Sequence, residues 1–185
     1  MSSNIVRQDN KDTFFRGLFS QSEHFVDLYE ECSGKRLNAN EFKRIDINPN
    51  DRVFRVLKGT GLSNDVAQLT TDNRLIILTE HMTTPSPNMG QRDLIYYAAL
   101  LHQWLISAGI ELSQSSPANV PMPEFYVVYN GKRKYNERTL MFGNDFLQIK
   151  PKLVDINFDK IKNNKPNSSL AGYAYFYKHY DAERA

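Results

Sequence analysis

The feature that most constrains the fold is a pair of strand-like segments on either side of a short polar turn. The segments read NDVAQLT (64–70) and RLIILTEHM (74–82), with Thr71, Asp72 and Asn73 between them. Short apolar runs bounded by Asp and Asn are typical of β-strands joined by a tight turn. The stretch therefore predicts an antiparallel hairpin whose two turn residues are Asp72 and Asn73.

This turn fixes which residues of the two strands lie opposite each other. Ala67 then faces Leu78, and Asp65 faces Glu80. Opposite residues of an antiparallel pair share a face, with Cβ atoms about 5 Å apart. Two carboxylates beside an apolar face repel each other and lose solvation unless a positive charge lies between them. Because oxygen ligands suit hard divalent cations, Asp65 and Glu80 predict a Mg²⁺ or Mn²⁺ site.

The residue two positions after Glu80 does not suit such a site. Side chains alternate along a strand, so Met82 shares the face of Glu80 while His81 points away. A hydrolytic site would hold a cation or a hydrogen-bonding group here, to orient the attacking water or stabilise negative charge. A thioether is a poor ligand for Mg²⁺ and donates no hydrogen bond. The sequence therefore supplies the acid, Glu80, but position 82 supplies neither a cation nor a hydrogen-bond donor.

Several separated blocks of the chain carry a family resemblance. An Asp at the start of one strand and Glu-X-Lys or Glu-X-Gln at the end of the next form the PD-(D/E)XK nuclease signature. The chain resembles the PD-(D/E)XK family transposases, which include the recombination-promoting Rpn nucleases, and the likeness covers most of residues 11 to 160. The blocks are KDTFFRGLF, SNDVAQL, IILTEHMTTPSPNMGQRDLIYYAALL and PEFYVVYNG.

The resemblance implies a restriction-endonuclease-like α/β core and a metal-dependent DNA endonuclease. Asp65 and Glu80 would be its metal ligands, and Met82 stands where the family has Gln or Lys. A substitute from the following helix is one interpretation, with Arg92 near its start, or Gln91 or Gln103, as the candidates. The other interpretation is a catalytically silent DNA- or protein-binding regulator, or an interaction protein with no nucleic-acid role. DNA is the expected partner, a homodimer is left open, and a protein partner belongs to the silent interpretation.

A basic run follows the segment PEFYVVYNG. Such residues contact phosphates in nucleic-acid-binding proteins, and an interleaved aromatic ring can stack on a base. Charged residues are also common at hairpin tips that bind nothing, so both interpretations stay open. The basic residues are Lys132, Arg133, Lys134 and Arg138.

The rest of the pattern predicts a single α/β domain over residues 12–185, after a flexible N-terminus at 1–11. Its core would be a central mixed β-sheet flanked by helices, because helical and strand-like segments alternate. The predicted segments are helices within 12–33, a loop at 35–51, a strand at 52–58, a helix at 91–108 ending at Gly109, a strand EFYVVYN, a strand near 153–158 and an aromatic C-terminal helix.

Composition excludes several classes of protein. The single cysteine, Cys32, excludes an internal disulfide and a thiolate zinc cluster, and its apolar helical setting predicts a buried thiol. No apolar run approaches the ~18 residues of a membrane span, and the N-terminus does not resemble a signal peptide. We therefore expect a cytoplasmic protein without membrane contact. A net charge of +2 permits nucleic-acid binding without indicating it.

Overall fold

The structure is a computed structural model that describes residues 12–47, 65–84, 86–133, 140–163 and 165–180. Within these ranges the protein is α/β, with a five-stranded mixed sheet between helices. The strands are β1 Phe42–Arg44, β2 Val66–Thr70, β3 Leu75–Met82, β4 Met122–Tyr129 and β7 Lys152–Asp155, with β5 Phe142–Gly143 and β6 Gln148–Ile149 in a separate hairpin. The helices are α1 (12–19), α2 Ser22–Ser33, α3 Met89–Ala108, α4 Phe158–Ile161 and α5 Ser169–His179.

The strand order is β1-β2-β3-β4-β7, antiparallel from β1 to β3 and parallel from β3 to β7. The predicted hairpin register is confirmed, since Ala67 pairs with Leu78. The turn is stabilised locally: Asn73 adopts the left-handed region at φ 58, and the Thr70 hydroxyl accepts the Leu75 N–H at 3.0 Å.

Alternation along the strands separates two hydrophobic layers. Ile77 and Val128 pack on one face with aromatic residues of α1, α2 and α5. Ile76 and Leu78 pack on the other face with Tyr96 of α3. Each fully buried side chain of this size contributes roughly 1.5–3 kcal/mol through the hydrophobic effect. Both faces of β3 are therefore covered, so a charged residue on this strand is buried.

The helix ends follow the sequence signals. α2 ends before Gly34 and α3 ends before Gly109, and both glycines adopt the left-handed conformation at φ 74 and φ 65. That conformation carries a Cβ penalty in other residues, which is why glycine terminates helices. The predicted burial of the Cys32 thiol is also confirmed.

Two predictions about segment boundaries need correction. Residues 35–51 are not all loop, because β1 lies within them and pairs with the edge of β2. A three-residue strand shows no usable alternation, so only its partner reveals it. The strand predicted near 153–158 ends at Asp155, and Phe158 begins α4. The segments 1–11 and 52–58 lie outside the described residues.

No helix in the described ranges is long and apolar enough to cross a membrane.

The close packing of α3 against the β5 region leads to a testable prediction. A Cβ added to Gly90 would lie 2.6 Å from Phe142 Cβ and 2.8 Å from the Leu140 carbonyl oxygen. We expect Gly90→Ala to lower the free energy of unfolding by about 1–3 kcal/mol, because the backbone must move to relieve overpacking. Urea denaturation measures this change.

Gly172 on α5 is the matched control, since no atom lies within 4 Å of an added Cβ there. We expect Gly172→Ala to stabilise the protein by up to about 1 kcal/mol, because alanine is the better helix former. Equal effects of the two substitutions would contradict the close approach at Gly90.

Candidate active site

The open end of the β2–β3 hairpin brings two acids together. Asp65 directly precedes β2, and Glu80 lies near the end of β3. The Asp65 backbone N–H donates to Glu80 Oε1 at 3.3 Å. Just beyond the last paired residues of the hairpin, the backbone of Asp65 thus contacts the carboxylate of Glu80.

Glu80 is buried, at 1% exposure, and pairs with Arg92 of α3. Arg92 Nη2 donates to Glu80 Oε2 at 2.9 Å and to the Tyr96 hydroxyl at 3.3 Å. Burial, and next the charge of Asp65, raise the pKa of Glu80 well above its ordinary value, although Arg92 opposes the rise. The positive charge already present therefore compensates the Glu80 carboxylate only in part.

Asp65 is held from the opposite side of the sheet. Arg16 of α1 donates through Nε to Asp65 Oδ1 at 2.8 Å, and the His81 backbone N–H donates to Asp65 Oδ2 at 2.8 Å. Together with the bonds to Glu80, each of the four carboxylate oxygens accepts one hydrogen bond from the described residues. With respect to those residues, each oxygen keeps a further lone pair for another ligand.

His81 points away from Glu80, as alternation predicted. Its Nδ1 lies 3.3 Å from Asp12 Oδ1, and its Nε2 lies 3.1 Å from the Tyr173 hydroxyl. The imidazole also stacks on Phe15, with ring centroids 4.9 Å apart. These contacts make His81 a buried structural residue that fixes the backbone N–H bound by Asp65.

Met82 shares the face of Glu80 but offers the site no polar atom. It is 8% exposed and packs in an apolar cluster with Met89, Val127 and Tyr129. The thioether therefore completes the core at the position where the resemblance would place Gln or Lys.

Of the three proposed substitutes, Arg92 is the one that the structure places against Glu80. Gln91 Oε1 is buried and has no hydrogen-bond partner among the described residues. Gln103 lies about 16 Å farther along α3, given a rise of about 1.5 Å per residue. There Gln103 lines a cavity beside Leu69 and Trp104.

Sequence reasoning missed two charged residues near the acidic pair. No sequence signal connects Arg16 with Asp65, which lies 49 residues away along the chain. Asp93 of α3 is 1% exposed, and its Oδ2 has no hydrogen-bond partner within the described ranges. Burial raises the pKa of Asp93 to about 8, with Arg92 opposing. The sequence did contain a signal for Asp93: it is an acid placed between Gly90 and Tyr96 on the side of α3 that carries buried residues.

The basic run is described only in part. Lys132 and Arg133 are exposed just after β4 and line a cavity of about 570 Å³, together with Lys160. Lys160 forms an ion pair with Asp155. The other two predicted contact residues, Lys134 and Arg138, lie outside the described residues.

Comparisons of the chain with protein-family models, with curated proteins and with solved structures found no match. The class established by the described structure is therefore an α/β protein with a mixed five-stranded sheet. Its candidate site combines two adjoining carboxylates with two arginines.

Proposed function

We propose that this protein is a metal-dependent DNA endonuclease with a restriction-endonuclease-like core, of the transposase-associated PD-(D/E)XK group. The observation that carries the proposal is the contact between Asp65 and Glu80 at the end of adjoining strands. The order of the sequence blocks that resemble that group supports it as well.

The chemistry of the acidic pair fits a divalent cation. Mg²⁺ is commonly bound through one or two carboxylates, with water and substrate phosphate completing its shell. Asp65 and Glu80 supply two such carboxylates, and burial, followed by the charge of Asp65, raises the pKa of Glu80. Among the described residues no group of three or more His, Cys, Asp or Glu side chains is arranged to hold a metal. Two carboxylates are therefore the protein ligands that we propose for Mg²⁺ or Mn²⁺.

A divalent ion in such a site lowers the pKa of a bound water and neutralises charge on the phosphodiester. Arg92 is the residue that we propose in the role of the missing Gln or Lys. Its Nε is buried and has no hydrogen-bond partner within the described ranges, so this donor is not used by the fold. A guanidinium hydrogen-bonds phosphate oxygens well, and Arg92 would orient the scissile phosphate while its Nη2 holds Glu80.

A second candidate function is a catalytically silent regulator that keeps the nuclease scaffold and binds DNA or protein. The burial of Met82 in an apolar cluster favours it, as does the pairing of both acids with arginines. In this function Arg16 and Arg92 would stabilise the carboxylates permanently.

A plasmid-nicking assay with Mg²⁺ or Mn²⁺ tests the proposed activity. We expect wild type to nick supercoiled DNA, and Asp65→Asn and Glu80→Gln to lower the rate at least about a hundredfold, since even outer-shell changes at metal sites cost 10- to 100-fold. Asp72→Asn, in the turn at the far end of the hairpin, is the matched control and should keep the wild-type rate.

Calorimetric titration with Mn²⁺ provides a readout without substrate. Binding in wild type that is lost in Glu80→Gln supports the endonuclease. Failure of wild type to bind Mn²⁺ or nick DNA, with nicking gained in Met82→Gln, would instead establish the silent scaffold.

A further inference from the structure

A cavity of about 330 Å³ lies beyond the carboxyl ends of β4 and β7, where α4 and α5 cover the sheet. Its volume is within the range of about 300–1,000 Å³ that small-molecule sites occupy. In open α/β sheets, ligands bind outside the carboxyl ends of the strands. The Asn130 N–H, at the edge of this cavity, donates to the Met82 carbonyl at 3.3 Å. The cavity therefore adjoins the end of β3 that carries Glu80.

Asn130 lines this cavity, and its buried side-chain amide is not used by the fold. Asn130 is 6% exposed, and neither Oδ1 nor Nδ2 has a hydrogen-bond partner in the described part of the chain. Each buried polar atom without a partner costs about 1–3 kcal/mol, so native proteins retain few of them. The neighbouring Asn157 differs, because its Nδ2 donates to Gly131 at 3.2 Å and to Asp155 at 2.8 Å. One donor and one acceptor thus remain for a ligand at Asn130.

The other walls of the cavity are aromatic and basic. Phe158 and Tyr177 contribute rings to the lining. Asp159 is shared by Lys162 and Lys178 at 2.9 Å each. Lys132 also lines the cavity and has no acidic partner among the described residues. Positive charge therefore exceeds negative charge around this cavity.

We propose that this cavity binds a nucleotide. The Asn130 amide would read the edge of the base, Tyr177 would contact its face, and Lys132 would bind the phosphate. The Phe158 ring already has Lys162 Nζ and Lys178 Nζ over it, at 5.9 and 5.4 Å from its centroid. Base stacking on aromatic side chains is worth about 1–3 kcal/mol per base. Asparagine pairs in bidentate fashion with adenine N6 and N7, so adenine is the expected base. The site uses neither Asp65 nor Glu80, and the inference does not rest on metal-dependent cleavage.

Calorimetric titration of the full chain with dAMP, in EDTA, tests this proposal. We expect saturable binding to wild type and at least about tenfold weaker binding to Asn130→Leu, because the bidentate pair is lost. Without ligand, the thermal midpoint of Asn130→Leu should equal or exceed that of wild type, since two unpaired buried atoms are removed. Asn157→Leu is the contrasting variant and should lower the midpoint.

Lys132→Ala tests the proposed phosphate contact separately from the proposed base contact. It should weaken dAMP binding severalfold and reduce its salt dependence, while adenosine binding is unchanged. Competition with an oligo(dA) strand distinguishes the two sources of the nucleotide. If the strand displaces dAMP, the site binds a nucleotide within DNA; if it does not, the site binds a free nucleotide. Either result supports the proposed pocket. Three results would overturn it: no saturable dAMP binding at millimolar concentration, unchanged affinity in Asn130→Leu, or inorganic phosphate binding as tightly as dAMP.

Discussion

Arg92→Leu is expected to lower the free energy of unfolding by about 3 kcal/mol at pH 8. The substitution removes the guanidinium that donates to Glu80 Oε2 at 2.9 Å. Glu80 is 1% exposed, so water does not replace the lost cation. Breaking a buried ion pair by removing one partner is costly, because the remaining charge stays desolvated. Urea denaturation followed by circular dichroism measures the loss.

A double-mutant cycle tests whether Glu80 is the cause. Adding Glu80→Gln to Arg92→Leu should recover part of the loss, with a coupling energy of about 1–3 kcal/mol. The loss in Arg92→Leu should also shrink as the pH is lowered and Glu80 takes up a proton. The exposed pair of Arg44 with Asp46 is the control, since such pairs are worth about 0–1 kcal/mol. An equal loss in Arg44→Leu would contradict the importance of burial at Glu80.

Asp93→Asn is expected to be more stable than wild type by a few kcal/mol at pH 8. Burial raises the pKa of Asp93 to about 8, although Arg92 opposes the rise. The ordinary pKa of aspartate is about 3.9, so between about pH 4 and 8 the unfolded chain has released a proton that the folded protein retains. Wild-type stability therefore falls as pH rises through this window, by about 1.4 kcal/mol per pH unit for this one group. The amide does not ionise, so Asp93→Asn removes this decline.

Chemical denaturation at several pH values from 4 to 8 measures the difference between Asp93→Asn and wild type. The difference in the free energy of unfolding should be largest at pH 8 and should approach zero towards pH 4. Glu80, whose pKa is also raised, contributes a decline of the same sign; most of it stays in Asp93→Asn, because burial and Asp65 raise that pKa more than Asp93 does. A constant gap between Asp93→Asn and wild type would contradict the burial of the carboxylate.

Much of the fold follows from local patterns. The hairpin register, the glycine ends of α2 and α3, and the existence of a strand at β4 each depend on residues within a few positions of one another. Short-range signals of this kind act through turn geometry and side-chain alternation. β1 lacked such a signal, because its three residues become a strand only by pairing with β2.

The sequence by itself determined that the chain at Asp65 meets Glu80 at the open end of the hairpin and that Met82 follows on the face of Glu80. One turn and strict alternation decide all of this, and both are local properties of the chain. Only the tertiary structure decided that Arg16 and Arg92 reach the two acids, and that Asp93 and Asn130 are buried with unpaired atoms. Those facts depend on how α1 and α3 pack across the sheet, and on how α5 and the segment after β4 enclose a cavity. Packing between distant segments sums many weak contacts, and no short stretch of sequence encodes it.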